Sequence, residues 1–287
     1  MELLPNTFLA LPNDKEKAKY VVLPIPYDST ASFKPGAREA PRRIIWASKE
    51  VEFYSSISDF NTPSGFVYTL DELTVYRDSV DMIPHIRESV SELLKEFPKR
   101  KYVFLGGEHS ITSPITEVLK PKNVIIFDAH GDMRELYEGT KYSHACNTRR
   151  ISEQNTENIL VYGVRAVCFE ENEFYESQNK IKLFKPNEKE EFLHALNKLS
   201  GPTYLSVDMD AFDISIMPAV GTPEPGGILW QDYMDFLSVV KSRGKSMDIL
   251  GFDVAELMPI PTFHSPEFMA ARLVLETIAA IEKPKDK

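Results

Sequence analysis

The apolar and polar positions of this chain follow two patterns, one that predicts strands and one that predicts helices. Short, uninterrupted apolar runs indicate buried strands, whereas apolar residues that recur every three or four positions indicate helices. Strands are predicted at residues 20–25, 102–105, 123–127, 159–163, 181–184, 204–207 and 249–254. Helices are predicted at residues 83–97, 114–119, 188–199, 233–240 and 267–281, with a further helix that begins at Pro41.

Strands and helices alternate through most of the sequence, which predicts an α/β fold with a mostly parallel sheet covered by helices on both faces. Residues 50–75 are predicted to be irregular, apart from a short strand near 66–68, and the acidic stretch 170–176 to be a solvated helical face. Because no Gly- or Ser-rich linker and no internal repeat occurs, residues 1–287 are predicted to form a single domain. The lysines at 283, 285 and 287 are predicted to be a frayed tail.

Side chains that can bind metals follow three of the predicted strands. They are His109, after a glycine pair; Asp128, His130 and Asp132; and Asp208 and Asp210. If the backbone stays extended beyond each strand, alternate residues point to one side and emerge together at the carboxyl end of the sheet, where open α/β sheets bind ligands. An ordinary polar strand end with an Asp-capped turn is the alternative for residues 128–132.

The charge of this cluster predicts two metal ions. Four carboxylates in one cleft repel one another, which raises their pKa values until some bind protons. Two divalent cations cancel the four negative charges, and two neutral imidazoles complete the ligand set. Oxygen-rich donors without thiolate suit Mn²⁺ better than Zn²⁺. Two such ions about 3.5–4 Å apart can bridge one water and convert it to hydroxide near neutral pH, so we interpret the cluster as a binuclear hydrolase site.

Composition narrows the class of protein further. A hydrophobic fraction of 43% and a charged fraction of 26% are ordinary for globular proteins. The net charge of -10 argues against a nucleic-acid partner and favours a cationic substrate. The two cysteines, Cys146 and Cys168, imply no disulfide framework and a reducing compartment. No apolar run approaches the ~20 residues of a membrane span, and the N-terminus lacks the features of a secretion signal, so a cytoplasmic location is expected.

Several spaced motifs resemble those of the ureohydrolase family, which includes arginases and agmatinases. They are GGEHS at 106–110, FDAHGD at 127–132, SVDMD at 206–210 and GTPE at 221–224. Glu256 within residues 253–256 and the segments 24–28 and 35–38 also match, so the resemblance covers nearly the whole chain. It implies an arginase-like, three-layer α/β/α fold and a binuclear manganese centre.

The resemblance also implies which residues bind each metal ion. His109 and Asp132 would bind one Mn²⁺, His130 and Asp210 would bind the other, and Asp128 and Asp208 would bridge both. The hydroxide that bridges the two ions would attack the guanidinium carbon of the substrate, and the resulting intermediate would collapse to urea and an amine.

Four residues would act on the substrate or the nucleophile by the same resemblance. Asp210 would orient the hydroxide or accept its proton. His144 would shuttle a proton to the leaving amine, with a satisfied loop histidine as the alternative. Glu256 would pair with the guanidinium through a bidentate contact, with a helix N-terminal glutamate as the alternative. Thr222 would position a guanidinium nitrogen, although a Gly-Thr-Pro turn also explains this residue.

The loop at 133–142 bears on the choice of substrate. It lacks the Asn- and Ser-bearing pattern with which arginases bind the α-carboxylate and α-amine of arginine. The run SHAC at 143–146 resembles prokaryotic agmatinases, and Glu135 and Glu138 would form an acidic entrance. Agmatine, cleaved to putrescine and urea in polyamine biosynthesis, is therefore the predicted substrate, with aminopropylagmatine, guanidinobutyrate and arginine as alternatives. Family members commonly form trimers or hexamers, which implies a homo-oligomer.

Other classes of protein fit the motifs less well. A two-metal phosphoesterase needs downstream G-D-x-x-D and G-N-H elements, which do not occur in the sequence. A histone-deacetylase-like site has a single zinc and fewer acids, and a non-catalytic metal-binding protein would lack a ligand or His144. Outside the motifs, Asp213 is predicted to be a structural cap, and Arg149, Arg150 and Arg165 are predicted to be surface or interface charges.

Overall fold

The alternation of apolar runs and amphipathic segments produces alternating strands and helices in the computed structural model, which describes residues 5–282. The strands are β1 (Tyr20–Ile25), β2 (Tyr54–Ser55), β3 (Phe60–Asn61), β4 (Val67–Thr69), β5 (Lys101–Gly106), β6 (Asn123–Phe127), β7 (Asn158–Tyr162), β8 (Ile181–Phe184), β9 (Gly201–Asp208) and β10 (Met247–Ala255). The helices are α1 (Ala40–Ser48), α2 (Ser79–Glu96), α3 (Thr112–Leu119), α4 (Asn147–Ser152), α5 (Phe169–Glu176), α6 (Lys189–Leu196), α7 (Trp230–Arg243) and α8 (Ser265–Ile281).

The central sheet confirms the predicted parallel architecture. Eight strands of the part described here lie in the order β4-β1-β5-β10-β9-β6-β7-β8, and every neighbouring pair is parallel. Side chains of α1, α6, α7 and α8 pack on one face, and those of α2, α3 and α4 pack on the other. Both faces of the central strands are therefore buried, which explains why their sequences read as continuous apolar runs.

The strand order decides where the polar strand ends meet. β5, β10, β9 and β6 are consecutive neighbours in the sheet, although they are far apart in the sequence. Because parallel strands place their carboxyl ends at one edge, the residues that follow these four strands are brought to the same place. His109, Asp128, Asp208, Asp210 and Glu256 all lie on these segments.

Most predicted elements are confirmed, with shifted ends. The helix predicted at 83–97 begins four residues earlier, at Ser79. The prediction missed its first turn because that turn contributes few buried apolar residues. The helix predicted at 233–240 extends in both directions to Trp230–Arg243. Within the region predicted to be irregular, the short strand near 66–68 is confirmed as β4. That region also contains the antiparallel pair of β2 and β3, which the prediction missed because each strand has only two residues.

Phe127, the last residue of β6, joins the sheet to its helical layer directly behind the polar strand ends. Its ring lies 5.1 Å from that of Tyr233, 4.8 Å from that of Phe236 and 5.8 Å from that of Phe192 in edge-to-face geometry. Such aromatic pairs add about 0.5–1.5 kcal/mol each beyond the area they bury. The aromatic side chains next to the Asp128 segment are therefore tightly packed.

Two sequence expectations concern the ends of the chain and membranes. The lysines predicted to form a frayed tail, at 283, 285 and 287, lie outside the described residues. Across residues 5–282, none of the helices combines the length and apolar character that a membrane crossing requires.

Candidate metal centre

The six metal-competent residues converge at the carboxyl edge of the sheet, but the predicted geometric reason for this convergence is wrong. The backbone does not stay extended: β6 ends at Phe127, and Asp132 has a left-handed φ of 51°. Asp210 lies in a short 3₁₀ turn after β9. Local carboxylate turns replace the extended geometry, because Asp128 Oδ1 accepts a hydrogen bond from the His130 backbone N–H at 2.7 Å and Asp208 Oδ1 accepts one from that of Asp210 at 2.8 Å.

His109 Nδ1 faces three of the carboxylates at close range. It lies 3.0 Å from Asp128 Oδ2, 3.2 Å from Asp132 Oδ2 and 3.3 Å from Asp208 Oδ2. Neither His109 Nδ1 nor Asp128 Oδ2 has a hydrogen-bond partner among the described residues, although both atoms are buried. Buried polar atoms without partners are costly, so this arrangement calls for a ligand between them.

His130 faces a second group of oxygens that shares Asp128 with the first. Its Nδ1 lies 3.0 Å from Asp210 Oδ2 and 3.6 Å from Asp128 Oδ1. The two carboxylate oxygens of Asp128 therefore point to different imidazoles. Within residues 5–282, His109, Asp128 and Asp208 form one group that could hold a metal ion, and Asp128, His130 and Asp210 form another.

The hydrogen bonds behind His109 determine which ring nitrogen carries the proton. Ser206 Oγ donates to Asp253 Oδ1 at 2.7 Å, so the same hydroxyl accepts from His109 Nε2 at 2.9 Å. The proton of a neutral His109 is therefore on Nε2, and the lone pair of Nδ1 points at the acids. Without a metal ion, Asp128 and Asp132 overcome the effect of burial and raise the pKa of His109 well above its usual range, so Nδ1 binds a proton. With a metal ion at Nδ1, the lone pair and the three carboxylates face one cation, which is the arrangement of a metal-binding imidazole.

In the absence of metal ions, the pKa values of the clustered side chains show that their charges are costly. Burial, followed by the charge of Asp128, raises the pKa of Asp132 to about 7. Burial, followed by the charge of Asp210, raises the pKa of Asp208 well above its usual range. Asp128 shifts the other way: despite its burial, the neighbouring imidazoles of His109 and His130 lower its pKa when they carry a proton. For His130, the attraction of Asp210 overcomes burial and raises the pKa to about 12. Without divalent cations the cluster must therefore take up protons.

Glu256 follows β10 and has a left-handed φ of 62°, so its alternative interpretation as a helix N-terminal glutamate is wrong. Its Oε1 accepts a hydrogen bond from the His109 backbone N–H at 2.7 Å, which holds the carboxyl group beside the cluster. Burial and the neighbouring carboxylate of Glu108 raise the pKa of Glu256 well above its usual range. A cationic group in the cleft would relieve this cost.

His144 lies at the start of a 3₁₀ turn and lines the same cleft as Glu256 and Thr222, a space of about 390 Å³. Its Nδ1 is 3.2 Å from Thr30 Oγ1, and its ring contacts that of Tyr137 edge to face, with centroids 6.0 Å apart. Burial lowers the pKa of His144 to about 4, so its imidazole is neutral near pH 7.

Asp213 is a structural cap, as predicted. Its carboxylate accepts hydrogen bonds from the backbone N–H groups of Ser215, Gly226 and Gly227. These bonds join the turn after β9 to the loop that precedes α7.

Arg165 was predicted to be a surface or interface charge, but its half-buried side chain also has a structural role that the prediction missed. Its guanidinium donates to the carbonyl oxygens of Gly163 at 2.9 Å, Asp210 at 2.8 Å, Glu224 at 2.8 Å and Pro225 at 3.1 Å. Arg165 therefore fastens the loop at 221–227, which carries Thr222, to the segment that carries Asp210.

The predicted acidic entrance is also different in the structure. Glu135 pairs with Arg149, and neither Glu135 nor Glu138 lines the cleft. Glu171 and Glu224 line it instead. Glu171 was assigned to a solvated helical face, but it is 5% exposed and caps the start of α5 while accepting a hydrogen bond from the Met133 backbone N–H at 2.8 Å. The fold of the loop, which periodicity does not encode, decides which acids face inward.

Known proteins are similar to this chain in sequence and in fold. The sequence model of the arginase family matches residues 18–280. The agmatinase of Pyrococcus horikoshii is 34% identical over 267 residues, covering 92% of this chain and 93% of that protein. N(1)-aminopropylagmatine ureohydrolase of Thermococcus kodakarensis is 33% identical over 272 residues, covering 94% and 93%. The crystal structure of agmatine ureohydrolase of Thermoplasma volcanium has a TM-score of 0.84 and 30% identity, covering 98% of this chain and 95% of that chain.

The matches agree with the α/β/α layers and the clustered acids and imidazoles. The chain belongs to the arginase family. Within that family it is a ureohydrolase, a hydrolase that acts on guanidino compounds. The predicted family and the predicted arginase-like fold are both confirmed.

Proposed function

We propose that the chain hydrolyses the guanidino group of agmatine, releasing putrescine and urea, with two Mn²⁺ ions bound in the cleft. The observation that carries this proposal is the position of His109 Nδ1, which lies 3.0–3.3 Å from oxygens of three carboxylates. That geometry suits a divalent cation placed among these atoms. The second imidazole, His130, faces Asp210 and Asp128 in the same manner.

The donor set fits two hard cations. His109 and Asp132 would hold one Mn²⁺, His130 and Asp210 would hold the other, and Asp128 and Asp208 would be shared. The two carboxylate oxygens of Asp128 face different imidazoles, which would suit a carboxylate shared by two cations. Oxygen donors dominate and no thiolate takes part, which favours Mn²⁺ over Zn²⁺.

The remaining residues act on the substrate and on protons. When bound, two divalent cations supply a strong nucleophile at neutral pH by lowering the pKa of water. Glu256 would accept hydrogen bonds from the guanidinium and hold its carbon next to the cluster. Asp210 would orient the attacking oxygen, and Thr222 would position a guanidinium nitrogen. His144, neutral near pH 7, would take up a proton and deliver it to the leaving amine.

The distal end of the substrate would lie near Glu224. This residue lines the cleft, and within residues 5–282 its carboxylate has no ion-pair or hydrogen-bond partner, while its backbone is fixed by Arg165. A free carboxylate would attract the primary ammonium at the distal end of agmatine. Agmatine has no carboxylate that this acidic group would repel. N(1)-aminopropylagmatine is the second candidate, because a relative with that activity in its name is 33% identical, almost the same as the agmatinase at 34%.

Urea release from four guanidino compounds tests the proposal. Agmatine, N(1)-aminopropylagmatine, arginine and guanidinobutyrate are each supplied with Mn²⁺, and a parallel series contains a chelator. The proposal expects Mn²⁺-dependent urea release with the highest kcat/KM for agmatine. A higher kcat/KM for N(1)-aminopropylagmatine would replace the substrate and keep the reaction, whereas urea release that is insensitive to chelation would overturn the metal mechanism.

We also propose that the protein acts in the cytoplasm as a trimer or hexamer. The family resemblance supports the assembly, and the reduced state expected of the two cysteines supports the location. Light scattering coupled to size exclusion tests the assembly, and a monomer at working concentration would contradict it.

A further inference from the structure

A buried carboxylate outside the metal cluster has hydrogen bonds that lead into the cleft. Glu108 is 0% exposed and belongs to neither group of candidate metal ligands. Its Oε2 accepts a hydrogen bond from the Thr30 backbone N–H at 2.6 Å, and its Oε1 accepts from Thr30 Oγ1 at 2.7 Å and from Ser110 Oγ. Thr30 is therefore held by two hydrogen bonds to one carboxylate.

The second half of this network reaches His144. Thr30 Oγ1 accepts a hydrogen bond from the His144 backbone N–H at 3.1 Å and lies 3.2 Å from the ring Nδ1 of the same residue. Ser143 Oγ is the next nearest hydroxyl to Nδ1, at the longer distance of 3.4 Å. One side chain from the loop after β1 thus contacts both the backbone and the ring of the cleft histidine.

The donors and acceptors of this network determine the tautomer of His144. A threonine hydroxyl has one hydrogen and two lone pairs. With Glu108 ionised, the hydrogen of Thr30 is donated to Glu108, and one lone pair accepts from the His144 backbone N–H, so the remaining lone pair faces Nδ1. A hydrogen bond then forms only if Nδ1 carries the proton, which leaves the lone pair of a neutral imidazole on Nε2.

We propose that Thr30, anchored by Glu108, is a positioning residue that keeps the proton of neutral His144 on Nδ1 and so presents the basic Nε2 to the substrate. The inference rests on the proposed function of His144 as a proton shuttle. A shuttle needs an unprotonated nitrogen on the side of the reacting groups, and a ring with the opposite tautomer would present an N–H there instead. Hydrogen bonds that orient metal-binding histidines contribute about 10- to 100-fold to metal affinity or activity, and we expect an effect of the same order for the orientation of His144.

Three variants of Thr30 test this role. Thr30→Val keeps the shape of the side chain and removes the hydroxyl, and Thr30→Ala repeats the test if the valine variant fails to fold. In the Mn²⁺-loaded enzyme, we expect kcat for urea release to fall about 10- to 100-fold, with KM and bound Mn²⁺ near the wild-type values. Thr30→Ser retains the hydroxyl and should restore most of kcat. A fall in Mn²⁺ content equal to the fall in kcat would overturn the proposal.

A double-mutant cycle separates positioning from general structural support. In a His144→Asn background, Thr30→Val should cause no further loss of kcat, because the ring on which Thr30 acts has been removed. An equally large loss in both backgrounds would show that Thr30 does not act through His144, and would overturn the proposal.

Histidine side-chain ¹H–¹⁵N spectra provide a readout that does not depend on activity. They are recorded on the full chain with diamagnetic Mg²⁺ in place of paramagnetic Mn²⁺, and the His144→Asn variant assigns the His144 signals. The wild type should show the Nδ1–H tautomer, and Thr30→Val should lose this preference; an Nε2–H tautomer in the wild type would contradict the inference. If no guanidino compound yields urea, the proposed function fails, whereas the spectra still decide the role of Thr30.

Discussion

Ser206 Oγ donates a hydrogen bond of 2.7 Å to Asp253 Oδ1, and this bond determines the direction of every further bond that Ser206 makes. The hydroxyl can only accept from His109 Nε2, which turns the Nδ1 lone pair toward the acids. Asp253 is itself fully buried and also accepts from Tyr204 at 2.8 Å and from Thr112 at 2.9 Å. Asp253 thus orients His109 through Ser206, although within residues 5–282 Asp253 itself makes no hydrogen bond to a candidate metal ligand.

Replacing Ser206 should weaken metal binding. Ser206→Ala removes the acceptor for His109 Nε2–H, so the ring loses its orientation and its fixed tautomer. We expect the affinity for Mn²⁺ to fall about 10- to 100-fold, measured by titration calorimetry. Ser238→Ala is the control, because its hydroxyl bonds only the Met234 carbonyl within α7, and it should bind Mn²⁺ as the wild type does. Equal affinities in both variants would show that this hydrogen bond does not matter.

Loss of Arg165 should loosen the loop at 221–227. Arg165→Met removes the donors that join the carbonyls of Asp210, Glu224 and Pro225, so the carbonyl groups of buried Asp210 and half-buried Glu224 lose these partners. The free energy of unfolding should fall by about 2 kcal/mol or more, and amide hydrogen exchange at residues 221–227 should accelerate. Arg42→Met, which breaks an exposed ion pair with Glu72, should change neither measurement appreciably. Unchanged exchange in the Arg165 variant would refute the fastening role.

Gly107 should tolerate no side chain. A Cβ atom at this position would lie 2.1 Å from the Tyr27 carbonyl oxygen, and backbone cannot move aside without disturbing β1. Gly107→Ala should therefore lower the free energy of unfolding by about 3 kcal/mol, measured by urea denaturation. At Gly131 the one atom of the described residues that the corresponding Cβ would approach too closely is the terminal methyl of Met133, at 2.9 Å, and this methyl can rotate away. Gly131→Ala should cost clearly less, and a reversed order would contradict the packing argument.

Removal of metal should destabilise the fold as well as abolish activity. Without dications, the carboxyl groups of Asp132 and Asp208 have raised pKa values because burial and neighbouring acids oppose their charge. Binding to the native state alone raises stability in proportion to the logarithm of ligand concentration. Calorimetry should show a lower Tm after chelation and a Tm that rises with added Mn²⁺. A Tm independent of Mn²⁺ would argue against the site.

The sequence predicted much of the fold because the sheet is parallel and doubly covered. Its strands are continuous apolar runs, so β1 and β6 were located to the residue, whereas the two-residue strands β2 and β3 carry too short a pattern to detect. The spatial order of strands, which brings β10 between β5 and β9, is not contained in local periodicity.

The sequence predicted the candidate metal ligands, but it said much less about the residues that position them. Asp128, His130 and Asp210 were identified from motifs, although turns rather than extended backbone bring them together. Ser206 and Asp253 lie inside apolar strands, where a polar residue at alternate positions was the one available signal of a hydrogen-bond network. The contacts of Thr30 depend on a long-range meeting of two loops, for which the sequence offers no signal.

Anomalous diffraction at the manganese edge, from crystals of this chain grown with Mn²⁺, tests the central claim most directly. We predict two peaks about 3.5–4 Å apart, one next to His109 and Asp132 and the other next to His130 and Asp210, with Asp128 between them. Density that shows no manganese between these side chains would contradict the binuclear site and the hydrolytic mechanism proposed for it.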